Sequence, residues 1–292
     1  GWEAPDVVGL HETLLGVDAA RAADEGGAEL RAAGGGLFRR LARHGGRVVT
    51  TQLGCAGDHG MGGSFGLLLL GGASRERLLV SEARMRDAFE RRVLVRSATR
   101  AVIADSSACM AMSLGVDARA LVPPFAPAGR DADGLFGLLV RACVSDGLTG
   151  FVPWAVEHAP AQARTTSFEQ EMRIAGRGGV NEYVRMALAA AFEPRDVSTA
   201  EHLRCAGEVL VRLGDRPREA AHFFREETMR AIGRRLVQIE RLLAEHGRRP
   251  AFWASALDGF ATALRAALVD PAGDVPAELV AAHGEEAARS LF

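Results

Sequence analysis

A chain of 292 residues, 48% of them hydrophobic and 25% charged, has room for one large domain or two ordinary ones and enough apolar surface to bury a core. Its 35 basic residues, all arginine, nearly balance 37 acidic ones, and a net charge of −2 gives no general electrostatic case for nucleic acid. The lack of lysine excludes a catalytic lysine, a phosphate-loop lysine and a Schiff base.

Four cysteines, Cys55, Cys109, Cys143 and Cys205, show no Cys-x-x-Cys spacing and read as buried hydrophobes in a reducing compartment rather than as a thiolate zinc site. No apolar run approaches the roughly 18–20 residues of a membrane span. With no recognisable signal peptide, the expectation is a cytoplasmic protein without a transmembrane segment.

In chain order, the alanine- and glycine-rich start predicts helices around Asp18 to Ala33 and Gly36 to His44. Arg47 to Cys55 has the β-branched content of a strand, and Gly57 to Gly63 reads as a turn-rich loop. Ser81 to Arg91 predicts an exposed helix capped by Ser81. Val93 to Ala104 holds a strand, and Ala108 to Ser113 another. Pro123, Pro124 and Pro127 forbid regular helix across the next loop. Leu135 to Val144 is apolar nearly all round, the mark of a buried helix, with Gly137 permitting close approach to a sheet. An apolar strand, Phe151 to Glu157, then leads to His158, and Trp154 within it reads as core.

Beyond Pro160 the pattern turns helical. Thr166-x-x-Glu169 and Ser198-x-x-Glu201 both fit the capping box, in which each partner satisfies an orphan backbone N–H. Pro217 to His246 predicts the longest helix, striped by Met229, Ile232, Leu236, Ile239 and Leu243 and ended by Gly247 and Pro250. Further helices are expected near Trp253 to Leu268 and Pro276 to Ser290. The expected organisation is therefore an α/β part over 1–160 and an α-helical region over 161–292, whose striped helices offer a surface for a homo-oligomer.

The stretch from Asp105 to Pro160 carries most of the chemistry. Its order places Asp133 at a helix N-terminus and His158 at the end of the following strand, so both could face one crevice at the carboxyl edge of a sheet. Asp131 and Asp133 can equally serve as helix caps. Asp117 and Arg119 precede the proline loop. There they can pair to shape it, or Arg119 can offer its fork of donors to a sugar or phosphate.

Two motifs carry a resemblance. Gly57 to Leu70 (GDHGMGGSFGLLLL) and Gly115 to Gly137 (GVDARALVPPFAPAGRDADGLFG) resemble a poorly characterised group of bacterial glycosyltransferase-like proteins. That group's pattern reads approximately GDSGM, then DNR, then PPFxPxxRNxDGxFG, and this chain departs from it at His59, Ala118 and Asp131. The segment Arg130 to Gly134, with Gly147 and Val156 to His158, is similar to the acceptor-side half of GT-A glycosyltransferases. The resemblance covers about half the chain and implies a GT-A-like α/β part, incomplete at its N-terminus, that takes a nucleotide sugar and an unknown acceptor.

On that resemblance Asp133 is the catalytic base, taking the acceptor hydroxyl's proton, or the group that orients the acceptor. The helix dipole would favour its ionised form and lower its basicity. His158 corresponds to a ligand for a divalent cation, Mn²⁺ or Mg²⁺, bound to the nucleotide diphosphate. Asp58, His59, Asp117, Arg119, Arg130, Asp131 and Gly134 would contact substrate. The usual Asp-x-Asp partner is missing upstream of Ser106, where a donor-binding half would be expected to supply it.

Two other readings stay open. Gly57 to Met61 is similar to the GDHGM motif of metal-dependent phosphatases and phosphodiesterases of the alkaline-phosphatase type. A degenerate transferase acting as an interaction protein is the third.

Overall fold

The computed structural model describes residues 5–31, 35–58, 63–119, 121–127, 129–168, 170–171, 178–191, 197–269, 275–284 and 286. Short acidic caps open the first helices. Asp6 accepts from the Gly9 amide to start α1 (Val7–Glu12), and Asp18 accepts from the Arg21 amide at 2.8 Å to start α2 (Ala19–Asp24). The helix expected to run on to Ala33 stops there instead. Gly26, at φ 71°, breaks it, and Glu29–Arg31 becomes strand β1 because its backbone pairs with a distant strand. Helix α3 (Gly35–His44) follows. Gly45 and Gly46, both at φ above 70°, turn the chain into β2 (Arg47–Asp58), which extends three residues beyond the expected strand.

A 3₁₀ turn (Phe65–Leu69) and α4 (Gly72–Leu78) precede α5 (Glu82–Glu90), whose Ser81 cap accepts from the Arg84 amide at 3.2 Å. The strand expected between Val93 and Ala104 is two strands, β3 (Val93–Arg96) and β4 (Val102–Ala104). That expected at Ala108 to Ser113 is not a strand. The Gln52 amide takes the Ala108 carbonyl, and Ser113 spends its hydroxyl on the Leu53 carbonyl at 3.0 Å. Residues 111–113 form a 3₁₀ turn, and pairing begins at β5 (Leu114–Val116). Helix α6 (Ala132–Cys143) and β6 (Gly147–His158) follow. Then come α7 (Val180–Ala191), α8 (Thr199–Asp215), the 29-residue α9 (Pro217–Glu245), α10 (Ala251–Val269) and α11 (Ala277–His283).

The strands form one mixed sheet in the order β1-β4-β6-β2-β3, with β5 antiparallel to β2 at Thr50–Gln52. β1 runs parallel to β4, and β4 antiparallel to β6. β2 and β6 run the same way. A Cβ on Gly147 would lie 2.9 Å from Val49 near their starts, and one on Gly57 would lie 2.7 Å from the His158 carbonyl oxygen at their ends. The fold class is thus mixed α/β, with every described strand between Glu29 and His158.

Two compact units form, each drawn from three stretches of chain. The first comprises Gly1–Ala56, Val95–Glu157 and Val184–Arg212; the second comprises Gly57–Leu94, His158–Tyr183 and Leu213–Phe292. In the first, successive residues of β2 bury on opposite faces, as strand geometry requires. Val48 joins Leu14, Leu37, Ile103 and Leu148 on one side, and Val49 meets Phe136 and Val140 of α6 on the other. The remaining faces of α6, through Leu135, Leu139 and Cys143, pack on Leu188 of α7 and Ala206 of α8. That explains a helix apolar nearly all round.

The second unit's core joins Ile232, Ile239 and Leu243 of α9 to Trp253, Leu257, Phe260 and Leu264 of α10. Phe65 stacks on Phe260 at 4.0 Å, and the Trp253 indole donates to the Leu68 carbonyl at 2.9 Å. The predicted stripe holds except at its start, where Met229 is exposed. A capping exchange forms one residue beyond the expected first box. Ser167 and Gln170 exchange bonds at 2.9 and 3.2 Å, while Glu169, the partner expected for Thr166, lies outside the described residues. Trp154 is 48% exposed rather than core, because burial along β6 ends at Val152. No helix among the described residues is long and apolar enough to cross a membrane.

Candidate functional site

The residues singled out by sequence fall into two groups, one in each unit. In the first unit the start of α6 is built around two carboxylates. Asp131, at φ 64°, precedes the helix without capping it, and its Oδ2 lies 3.0 Å from Nε of Arg185 on α7. Burial pulls the Asp131 carboxyl above its ordinary range, Arg185 works against that, and the charge of Asp133 adds to it. The carboxylate folds over the first turn so closely that a Cβ on Gly134 would sit 2.1 Å from its Oδ1. A larger residue at 134 would make the Asp131 carboxylate shift.

Asp133, half-buried in the first turn of α6, accepts from the Gly134 amide at 2.9 Å. It faces the irregular stretch that follows β4. Burial, with the Asp133 charge second, pushes the Cys109 thiol up to about 12. One turn on, a Cβ at Gly137 would meet the Ser107 carbonyl oxygen at 2.2 Å. The proline loop is pinned by Phe125, which stacks on Phe136 at 4.0 Å. Arg130 occupies the turn just before the helix.

Asp117 and Arg119 form a forked pair, with Nε to Oδ1 at 2.7 Å and Nη2 to Oδ2 at 2.9 Å, and Arg47 also bonds the same carboxylate. The Arg119 side chain bonds, above all, hold the Asp117 carboxyl down to about 2. Arg119 lies across Gly16, where a Cβ would be 1.9 Å from its Nη2. A further buried acid, Asp105 at the end of β4, escaped the sequence reading. Arg141 grips it at 2.8 and 3.3 Å, and Arg40 approaches at 3.5 Å. Arg40 also donates to the carbonyls of Val144 and Ser145, closing the C-terminus of α6. Nothing local marks it, since Arg141 and Arg40 lie 36 and 65 residues away along the chain.

In the second unit, the ends of β2 and β6 bring Asp58 and His158 together. His158 Nδ1 donates to the Asp58 carbonyl at 2.8 Å. The Asp58 carboxylate is buried, and its Oδ2 meets Nε of Arg164 at 2.9 Å and Nε of Arg92 at 3.4 Å. Both arginines were missed, because they lie far from Asp58 along the chain. His59 lies outside the described residues. Asp133 belongs to the first unit and His158 to the second.

A Mg²⁺ or Mn²⁺ site at His158 would need several oxygen ligands. Among the described residues, no three His, Cys, Asp or Glu side chains converge. The Asp58 carboxylate is already engaged by two guanidiniums, which oppose a cation. The described residues thus do not fit that metal. No family model, curated protein or solved structure matches the chain.

Proposed function

We propose that the chain transfers a glycosyl group from a nucleotide-activated sugar, with Asp133 as the base or acceptor-orienting carboxylate. The observation that carries the reading is the pair of acids at the head of α6. Asp131 pairs with Arg185, while Asp133 accepts from the Gly134 amide beside the stretch that leaves β4. Two carboxylates in unlike surroundings can divide positioning from proton transfer. The motif resemblance across Gly115 to Gly137 supports the same assignment.

In the proposed step the acceptor hydroxyl oxygen attacks the anomeric carbon and its proton passes to an Asp133 oxygen. The bond from the anomeric carbon to the diphosphate oxygen breaks, and its electron pair leaves with the nucleoside diphosphate. Mn²⁺ and Mg²⁺ are variables of the assay.

The test is release of nucleoside diphosphate from a panel of nucleotide sugars, with and without Mn²⁺. Turnover lost in Asp133→Asn, with a melting temperature kept to within a few degrees, is the expected result, since a helix-start residue contributes about 1 kcal/mol. Full activity in that variant would remove Asp133 from the chemistry. No turnover with any donor would remove the transferase reading.

A further inference from the structure

Cys143 closes α6, and Cys205 lies on the face of α8 that packs against it. The Cys143 side chain is fully buried and belongs to the cluster that joins Leu135 and Leu139 of α6 to Ala206 of α8, with Leu203 packed on it. The Cys143 carbonyl accepts from Nδ1 of His202 at 3.1 Å, which fixes the end of α6 against α8. Residues three apart on a helix are neighbours, with about 5–6 Å between Cβ atoms. Cys205 therefore stands beside His202 and next to Ala206 at the same contact. It is half-buried, whereas Cys143 is sealed, and both carry free thiols.

The two thiols also sense each other. Burial first, and the charge of Cys205 second, push the Cys143 thiol up to about 12. Cys109 differs, since the charge acting on its thiol is that of Asp133. Burial among leucines opposes a thiolate at Cys143, because a charge there loses its water. It does not oppose a disulfide, which is uncharged and can occupy the same apolar contact. A half-buried thiol with a sealed one behind it has the arrangement of an attacking and a resolving cysteine.

We propose that Cys205 and Cys143 form a reversible disulfide, with a low-molecular-weight disulfide of the glutathione type as oxidant, tying the end of α6 to α8. In the first step Cys205 gives its proton to solvent and its sulfur attacks one sulfur of the small disulfide. That S–S bond breaks, and one small thiolate leaves. In the second step Cys143 gives up its proton, its sulfur attacks that of Cys205, and the second small thiolate leaves. Two protein thiols are oxidised by two electrons, and one small disulfide is reduced to two thiols. Scarce thiolate at Cys143 slows the second step, while its nearness to Cys205 offsets that. The link holds the helix whose other end carries Asp131 and Asp133. It does not depend on the transferase reading, because it is read as a covalent bond.

The whole chain, equilibrated in glutathione buffers of rising oxidised fraction, is alkylated and digested with trypsin. Cleavage after Arg141, Arg164, Arg204 and Arg212 places Cys143 in peptide 142–164 and Cys205 in peptide 205–212. These two peptides should appear joined, in an amount that rises with the oxidised fraction and is lost on adding dithiothreitol. In Cys143→Ser, Cys205 should instead hold a glutathione adduct, because nothing displaces it. In Cys205→Ser, Cys143 should remain a thiol while the chain is folded. The joined pair missing from the unmodified chain in every buffer, or formed only in urea, would overturn the proposal whatever the variants do. A glutathione adduct on Cys143 in folded Cys205→Ser would overturn the assignment of Cys205 as the attacking thiol.

Discussion

The imidazole of His158 and the main chain of Asp58 are joined by a 2.8 Å hydrogen bond across the ends of β6 and β2. A carbonyl can only accept, so the neutral ring must carry its proton on Nδ1, leaving the Nε2 lone pair available. The Nδ1–H tautomer should therefore dominate the long-range ¹H–¹⁵N spectrum of His158 at pH 8. A ring protonated at Nε2 would show that this bond does not form. His158→Phe should cost on the order of 1 kcal/mol, the net worth of one such bond.

Gly137 and Gly233 are both helical glycines, yet alanine should act oppositely at the two. At 137 the new Cβ would stand 2.2 Å from a backbone oxygen, so α6 must shift, and a loss of about 1–3 kcal/mol is expected. At Gly233 in α9 nothing lies within 4 Å, and alanine should stabilise by about 0.5–1 kcal/mol through the unfolded chain's lost freedom. Urea unfolding of both variants checks the pair; equal signs would contradict the close approach of α6 to Ser107.

The Asp117 carboxyl titrates near 2 in the folded chain against 3.8 unperturbed. A depressed acid adds stability above the unfolded value, and that stability is lost as pH falls from about 4 toward 2. The contribution is on the order of 1 kcal/mol, less than full linkage gives, because Arg119 is 72% exposed and screened by water. Asp117→Asn should flatten that part of the acid unfolding curve. An unchanged slope in the variant would separate Asp117 from the acid limb.

His11 behaves in the opposite chemical sense. It is buried against the Thr51 hydroxyl at 2.8 Å, and burial lowers its pKa from 6.5. The unfolded chain then binds a proton first, so stability should decline as pH drops below about 6.5 and level off once the folded ring is protonated too. NMR titration of the His11 ring should give a midpoint below 6.5; a midpoint above it would refute the burial argument.

Local chemistry was legible where a residue's neighbours in sequence are also its partners. Ser81 and Ser198 accept from amides three residues on, as their spacing announced. The apolar run of α6 and the stripe of α9 needed only the helical period to be recognised. The three residues of β1 were invisible for the same reason, since so short a strand has no period and exists only because β4 lies beside it. Ala108 to Ser113 looked like a strand, but side chains of β2 and of Ser113 itself took the bonds a ladder would have made.

At the candidate sites the division is sharper. The sequence by itself determined which acids open α6 and that a histidine ends β6, because those positions follow from element boundaries. Only the tertiary structure decided what each group meets. It placed Arg185 on Asp131, Arg141 on Asp105, and Arg92 with Arg164 on Asp58. These partners lie 34 to 106 residues apart along the chain. Coulomb attraction depends on separation in space, which is set by how sheet and helices pack, and one chain's spacing carries no record of it.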